Sequence, residues 1–438
     1  MNFLVNVYKL KTIIVNEGAM FIDFSYHRLR QLAMAAVLLI IASSALAEDA
    51  ESGLPKFSIN GFGTLGAVNH NEKGVRFRRD ISQAGGANAG EVSFVQDSML
   101  GVQLTAYLNP KLEVSTQVVS RQTTDNNFDP QVTWAYLKFK LTEDVAIRVG
   151  RLGAEEYPQG DSAEIGYANL MIRQPIIFYP RTFDGIDAEV SHPFGGGMTR
   201  LKGMAGWTQG KLIGFGASYD TGGSKLIGGV AEYTHGGWTG RVVLGSVQLH
   251  NEIEELKSGS QFLAGLSMTP HGTQTINRLS TNNRMIQMSS LSLAYDAGRL
   301  QGIASYNTEM SSNWPCQHLL YANVGYRIGQ VTPYVSWSEQ HTARNFTSTG
   351  IPNGLSQQTD ALNQGALLAQ SGLMVNQSDI AFGARYDFAK NTALKFQVDH
   401  IRYKDPSSII DSGFLTDPVE NRNTKSLTLI SLALDFVF

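Results

Sequence analysis

Charged residues that could act together crowd the stretch from Trp134 to Val190. Lys138 and Lys140 come first, then Arg148 and Arg151, then Glu155, Glu156, Asp161 and Glu164, and finally Arg173, Arg181 and Asp184. These residue types can act on another molecule through charge, or they can be no more than solvated loop charges. They do not suggest covalent chemistry. The 9 His are scattered, and no HExxH, GxSxG or P-loop pattern stands in the strand–turn–helix context it needs. The sequence therefore nominates no catalytic residue and no cofactor.

Strands must hold these groups. Side chains along a strand alternate between two faces. In the segment 319–328, Leu320, Ala322, Val324, Tyr326 and Ile328 share one face, while Tyr321, Asn323, Gly325 and Arg327 share the other. Ile380, Phe382, Ala384, Tyr386 and Phe388 likewise oppose Arg385 and Asp387, and Leu394, Phe396 and Val398 oppose Lys395, Gln397 and Asp399. The pattern predicts strands at 57–68, 98–109, 111–121, 132–142, 144–152, 185–192, 198–208, 212–220 and 224–235. It continues at 237–248, 260–268, 286–297, 299–310, 317–329, 331–341, 379–389, 392–404 and 426–438. That makes 18 strands, favoured by parity if the weakest segment, 260–268, is one of them, with 16 as the alternative count. Tight links at 109–110, 142–144, 193–197, 221–224, 297–298, 329–330 and 389–391 alternate with long polar ones such as 69–97, 153–184 and 342–378. Two further links, around Gly210 and Gly236, are short and could mark a subunit contact. One apolar face and one charged face, joined by short turns at one end and long loops at the other, predict an all-β protein. Its fold would be a transmembrane antiparallel barrel with lipid outside and water inside.

Both ends of the chain agree with that expectation. The last strand puts Ile430, Leu432, Leu434, Phe436 and Phe438 on one face and Ser431, Ala433 and Asp435 on the other. A strong terminal strand calls for a sheet without a free edge, and a closed barrel supplies one. It is expected to pair with residues 57–68 to complete the ring. Near the other end, His27-Arg28-Leu29-Arg30 precedes an apolar run from Leu32 to Ala42, and Ala45-Leu46-Ala47 precedes Glu48. This is the layout of a signal peptide over residues 20–47, cleaved between Ala47 and Glu48. The apolar run is shorter than the roughly 20 residues of a spanning helix. Residues 1–19 fit poorly before the basic region, so Met20 is read as the true start and 1–19 as a misassigned extension. Residues 48–438 are then the barrel domain.

Composition supports this reading. The chain holds 44 Gly, 16 Tyr and 21 Phe, and only 17% of it is charged, against roughly 25% in soluble domains. The lone Cys316 excludes an internal disulfide framework and is read as a structural loop thiol. No basic domain points to nucleic acid.

The order Trp134-Ala135-Tyr136-Leu137, Gly150-Arg151-Leu152, a long loop and then Asp184-Gly185 resembles Gram-negative outer-membrane porins, closely over about sixty residues and in layout over the mature chain. The resemblance implies an outer-membrane channel for passive diffusion of small hydrophilic solutes and ions. It also implies a homotrimer in contact with lipid and lipopolysaccharide, and a third loop, 153–184, folded into the lumen. Acidic loop groups Glu155, Glu156, Asp161, Glu164 and Asp184 would then face Lys138, Lys140 and Arg148 on the wall, with Arg173 and Arg181 nearby. Such an arrangement creates a transverse field in a constriction. Arg151 is out of phase with Arg148 and would need a bulge or the rim to reach water. By the same resemblance, Phe438 is the signal read by the barrel-assembly machinery. The Pro-Glu-Phe-Gly-Gly motif of general enterobacterial porins is absent, which leaves the detailed constriction geometry open.

Other features carry less. Arg76, Arg78 and Arg79 could meet lipopolysaccharide phosphates or be solvated, and Glu252, Glu254 and Glu255 read as a polar periplasmic turn. Asp405, Asp411, Asp417 and Glu420 lack the compact spacing of a calcium site, so no metal is expected. Trp134, Trp207, Trp238, Trp337 and Tyr403 are candidates for interfacial aromatic girdles. Within the class, a channel selective for small anions, sugars or organic acids is the alternative. Outside it, the alternative is a secreted all-β binding or adhesive protein.

Overall fold

A computed structural model describes residues 55–73, 75–155, 159–175, 181–214, 217–343, 346–371, 375–404, 415–416 and 426–438. The proposed extension, signal peptide and cleavage site, Glu156, and the acids at 405, 411, 417 and 420 lie outside the described residues.

Sixteen antiparallel strands close into one barrel. They are β1 (Lys56–His70), β2 (Met99–Asn109), β3 (Leu112–Arg121), β4 (Gln131–Lys140), β5 (Val145–Gly153), β6 (Thr182–Phe194), β7 (Gly197–Thr208) and β8 (Lys225–His235). The second half comprises β9 (Trp238–Gln248), β10 (Met285–Ala297), β11 (Leu300–Ser311), β12 (Gln317–Tyr326), β13 (Val331–Thr342), β14 (Gln377–Ala389), β15 (Thr392–Tyr403) and β16 (Ser426–Val437). Neighbours in sequence are neighbours in the ring, and β16 returns to pair with β1 from Phe62↔Val437 to His70↔Leu429. The expected closure is thus observed, in a register that leaves no free edge.

The count is 16 rather than 18 for two local reasons. Residues 212–220 do not form one spanning strand. They contribute to a small hairpin, Lys211–Gly214 paired with Ala217–Asp220, whose four-residue arms are too short for the roughly 9–11 residues of a spanning strand. Residues 260–268 hold a helix, α1 (Gln261–Ser267), because Phe262, Leu263 and Leu266 follow helical spacing and Ser260 Oγ caps the first turn by accepting from Leu263 N at 3.1 Å. With both segments removed from the wall, the ends of the neighbouring strands change places. The Gly236–Gly237 link belongs to the end with the tight turns, and 221–224 belongs to the loop end. Glu252, Glu254 and Glu255 therefore also sit in a loop-end connection, 249–284. Two further helices, α2 (Gly272–Leu279) and α3 (Gln357–Ser371), occupy loop-end connections.

At the turn end every link within the barrel is two to four residues long. Gly236 and Gly237 have φ of 58° and 86°, the left-handed pair that a two-residue hairpin of the right twist requires. Along the wall the faces separate as the alternation demands. Leu65, Leu244, Leu291 and Phe382 point outward and are about three-fifths exposed, whereas Lys395, Gln397, Ser431 and Asp435 point inward and are buried. Trp238 against Tyr295, Tyr386 against Phe388 and Phe436 against Phe438 form outward aromatic pairs near the turn end. Trp207 and Trp337 also face outward. Tyr403 does not, because it is buried in an inward apolar cluster with Val68, Phe77, Ile401, Leu427 and Leu429. No helix among the described residues is long and apolar enough to cross a membrane.

Candidate functional site

The connection between β5 and β6 starts beside a dense charge cluster. Arg148 sits on the inward face of β5 because it is in phase with buried Leu152. Across the strand pair it meets Asp187, donating at 2.9 Å from Nε and 2.6 Å from Nη2. Arg200 and Lys202 are successive inward positions of β7, and Arg241 is inward on β9. Glu155, two residues past β5, lies among them and is buried. Its carboxylate accepts from Arg200 Nη2 at 2.9 and 2.7 Å, from Lys202 Nζ at 2.5 Å and from Arg241 Nη2 at 3.1 Å, with Arg148 Nη2 at 4.0 Å. Lys202 also lies 3.0 Å from Asp187, Arg200 2.8 Å from Glu189, and Arg241 3.5 Å from Glu232. Four cations thus meet four carboxylates. Burial works against ionising Glu155, but Lys202, Arg200 and Arg241 outweigh it and hold the carboxyl down at about 2.

A second cluster centres on Arg173, later in the same connection. It donates to Asp97, to Asp399 Oδ2 at 2.9 Å and to Ser431 Oγ at 2.6 Å, and its guanidinium lies over the Phe77 ring. Burial opposes its charge, yet Asp97 and Asp399 raise its pKa above the ordinary arginine value. Around it, residues 166–172 hydrogen-bond to inward side chains of β14 and β15. Lys395 Nζ donates to Gly166 O at 2.7 Å and Met171 O at 3.3 Å, and pairs with Asp435 at 2.9 Å. Arg385 Nη1 donates to Tyr167 O at 2.6 Å and Asn169 O at 3.1 Å. Ile172 N donates to Gln397 Oε1 at 3.0 Å. Leu170 and Met171 pack with Ile303, Tyr321, Tyr334 and Ala381 of β11 to β14.

A third cluster joins two connections to the wall. Asp80 lies 2.8 Å from Arg181 and 3.8 Å from Arg121, and Glu164 lies 3.2 Å from Arg121 and 3.7 Å from Arg181. Burial opposes Asp80 ionisation, and the two arginines with the Ser82 hydroxyl overcome it, holding this carboxyl well below the usual range.

The expected residues therefore divide. Arg148 and Glu155 come together, Glu164 and Arg181 come together elsewhere, and Arg173 stands apart with its own acids. Lys138 is inward on β4 but 4.0 Å from Glu113, and Lys140 is exposed at the end of that strand. Asp161 belongs to a single 3-10 turn, Gly160–Ser162. Arg151 faces outward near the loop-end rim and pairs with Asp184 at 2.7 and 2.9 Å. Its charge is thus satisfied by a partner on the same face, and Asp184 is not one of the inward acids. The residues that sequence reasoning missed are Asp187, Arg200, Lys202, Arg241, Asp80, Asp97 and Arg121. Charge at inward phase was the available signal: Arg200 and Lys202 share it with Met204, as Arg241 does with Val243.

A family model described as Gram-negative porin matches residues 256–406. Among curated proteins, none matches the chain by sequence. The outer-membrane channel DcaP of Acinetobacter baumannii is similar in structure, with a TM-score of 0.52 at 11% identity over 89% of this chain and 99% of that one. The anion-selective porin from Comamonas acidovorans scores 0.49 at 14% identity, over 88% of this chain and 100% of that one. At these identities the likeness to DcaP speaks to the fold alone. The match to the Gram-negative porin model lies in the second half of a closed ring of 16 antiparallel strands, a fold that the chain shares with the DcaP channel.

Proposed function

We propose that the protein is an outer-membrane porin, a water-filled channel for passive diffusion of small hydrophilic solutes and ions. One observation carries the reading: the barrel wall is apolar outside and bears ionised, hydrogen-bonded groups inside. A soluble barrel needs the opposite arrangement, and a bilayer needs this one. On this reading the turn end is periplasmic and residues 20–47 are removed on export. The likeness to porins favours a homotrimer embedded among lipid and lipopolysaccharide and assembled by the barrel-assembly machinery.

The β5–β6 connection is read as crossing the lumen. In support, it leaves the wall at β5 and its residues 166–173 bond side chains of β14, β15 and β16, on the other side of the ring. Glu155 with Arg148, Arg200, Lys202 and Arg241 would then form the charged edge of the narrowest zone, while Arg173, Arg181 and Glu164 anchor the loop rather than meet solute. Lys138 and Lys140 would line the periplasmic vestibule. Glu156 and Asp161 are kept as candidate lining residues on sequence grounds alone. Because the four cations of the edge are balanced, selectivity for small anions, sugars or organic acids remains the secondary reading.

Liposome swelling tests the function. Vesicles carrying the purified protein should swell in arabinose and glucose faster than protein-free vesicles. Swelling no faster than the controls would exclude a diffusion channel.

A further inference from the structure

Along β8, β9 and β10 the inward face changes chemistry part-way. Toward the turns it carries Glu232, Thr239 and Arg241. Toward the loops it carries Leu226, Val230, Val243, Val247 and Met288, all buried. Apolar side chains facing a water-filled lumen would be wetted at a cost, so this sector requires a cover. The same apolar cluster includes Leu256, Leu266, Leu279 and Ala366, from α1, α2, α3 and the turn before α1. Val230 and Val243 stand five positions inside the loop-end termini of their strands, which is roughly 12 Å of depth for tilted strands.

The cover is itself built rather than loose. α1 and α3 meet through small residues: a Cβ added at Gly265 would lie 3.2 Å from Leu362 Cδ1, and one at Gly365 would lie 3.1 Å from Phe262 Cε2. His271 N donates to Thr349 O at 3.0 Å, linking the two connections. Glu252 accepts from Ile253 N at 3.0 Å and Thr281 N at 2.8 Å, pinning the two ends of the 249–284 connection together.

We infer that α1, α2 and α3 form a wedge seated in the loop-end mouth against β8–β10, and that this wedge sets the largest solute the channel admits. It displaces the path toward the opposite side of the lumen, and its apolar cluster also takes in Ala154 at the start of the β5–β6 connection. The inference rests on the channel reading above.

The test replaces residues 356–371 with a short Gly-Ser linker and measures single-channel conductance and swelling in arabinose, glucose, sucrose and raffinose. A trimmed barrel that keeps heat-modifiable gel mobility should conduct about twofold more, because a wider mouth lowers the access barrier, and should admit a larger sugar. A folded trimmed barrel with unchanged conductance and size limit overturns the wedge. Should trimming prevent assembly, the Leu266→Ala/Leu279→Ala variant decides. Looser packing of the wedge should raise conductance in the same direction, and unchanged conductance refutes the inference. Wild-type protein that passes no sugar at all refutes the channel reading instead.

Discussion

Arg200 Nη2 donates to both carboxylate oxygens of Glu155, at 2.9 and 2.7 Å, and so ties the start of the β5–β6 connection to the inward face of β7. Lys202 on the same strand, Arg241 on β9 and Arg148 on β5 close the same carboxylate in. Removing the one negative charge leaves these cations short of a partner. Glu155→Gln is expected to move the reversal potential in a salt gradient toward anion preference. An unchanged reversal potential would exclude Glu155 from the conducting zone.

Acid should act late on these groups. Glu155 and Asp80 are both held below the normal carboxylate range despite burial, Glu155 down to about 2, by the cations around them. In the unfolded chain such groups titrate near 4. A depressed folded value means their contribution to stability is fully present above the unfolded pKa and is lost as pH falls through the folded one. Ion selectivity should therefore hold constant from pH 7 to about 4, and the unfolding temperature should fall only below that. A selectivity change centred near pH 6 would contradict the assignment.

Arg173 joins Asp97, Asp399 and Ser431. Arg173→Met strands two buried carboxylates, and breaking such a pair costs about 3–5 kcal/mol. The expected result is a lower temperature for loss of heat-modifiable mobility and noisier open-channel current, since the loop loses an anchor. Equal melting of variant and wild type would show that Lys395 and Arg385 hold the loop without it.

The seam between β1 and β16 should respond differently. Gly61 N donates to Phe438 O at 2.8 Å and Phe438 N to Gly61 O at 2.9 Å. A Cβ on Gly61 would lie 2.0 Å from Phe438 Cζ, so the ring covers the glycine. Phe438→Ala uncovers it and removes a cross-strand contact of about 1 kcal/mol. Folded yield, followed by gel mobility over time, should drop while conductance per folded channel stays the same. Altered conductance with normal yield would be the opposite of this account.

How far the sequence could be read depended on how local the information was. Alternation in residues such as Ile430 to Phe438 fixes which face is apolar, because a slip of one position would turn every side chain over. It could not separate a spanning strand from the hairpin around Lys211–Asp220, since both have β-pattern and differ in length. It misread 260–268 because a short apolar run suits helix or strand equally, and Ser260 as a cap was the missed cue. The candidate site was half visible. Arg148 and Glu155 are close in sequence, whereas Arg200, Lys202 and Arg241 reach Glu155 only through the ring order of strands. Arg151 and Asp184 pair on the outward face, a relation that alternation within either strand alone does not reveal.

The central claim is that this barrel conducts. Purified protein with residues 48–438, folded in detergent and added to a planar bilayer, tests it directly. The account predicts discrete stepwise conductance increments that grow in proportion to salt concentration, as in a water-filled pore. A bilayer that stays silent with demonstrably folded, heat-modifiable protein would contradict it.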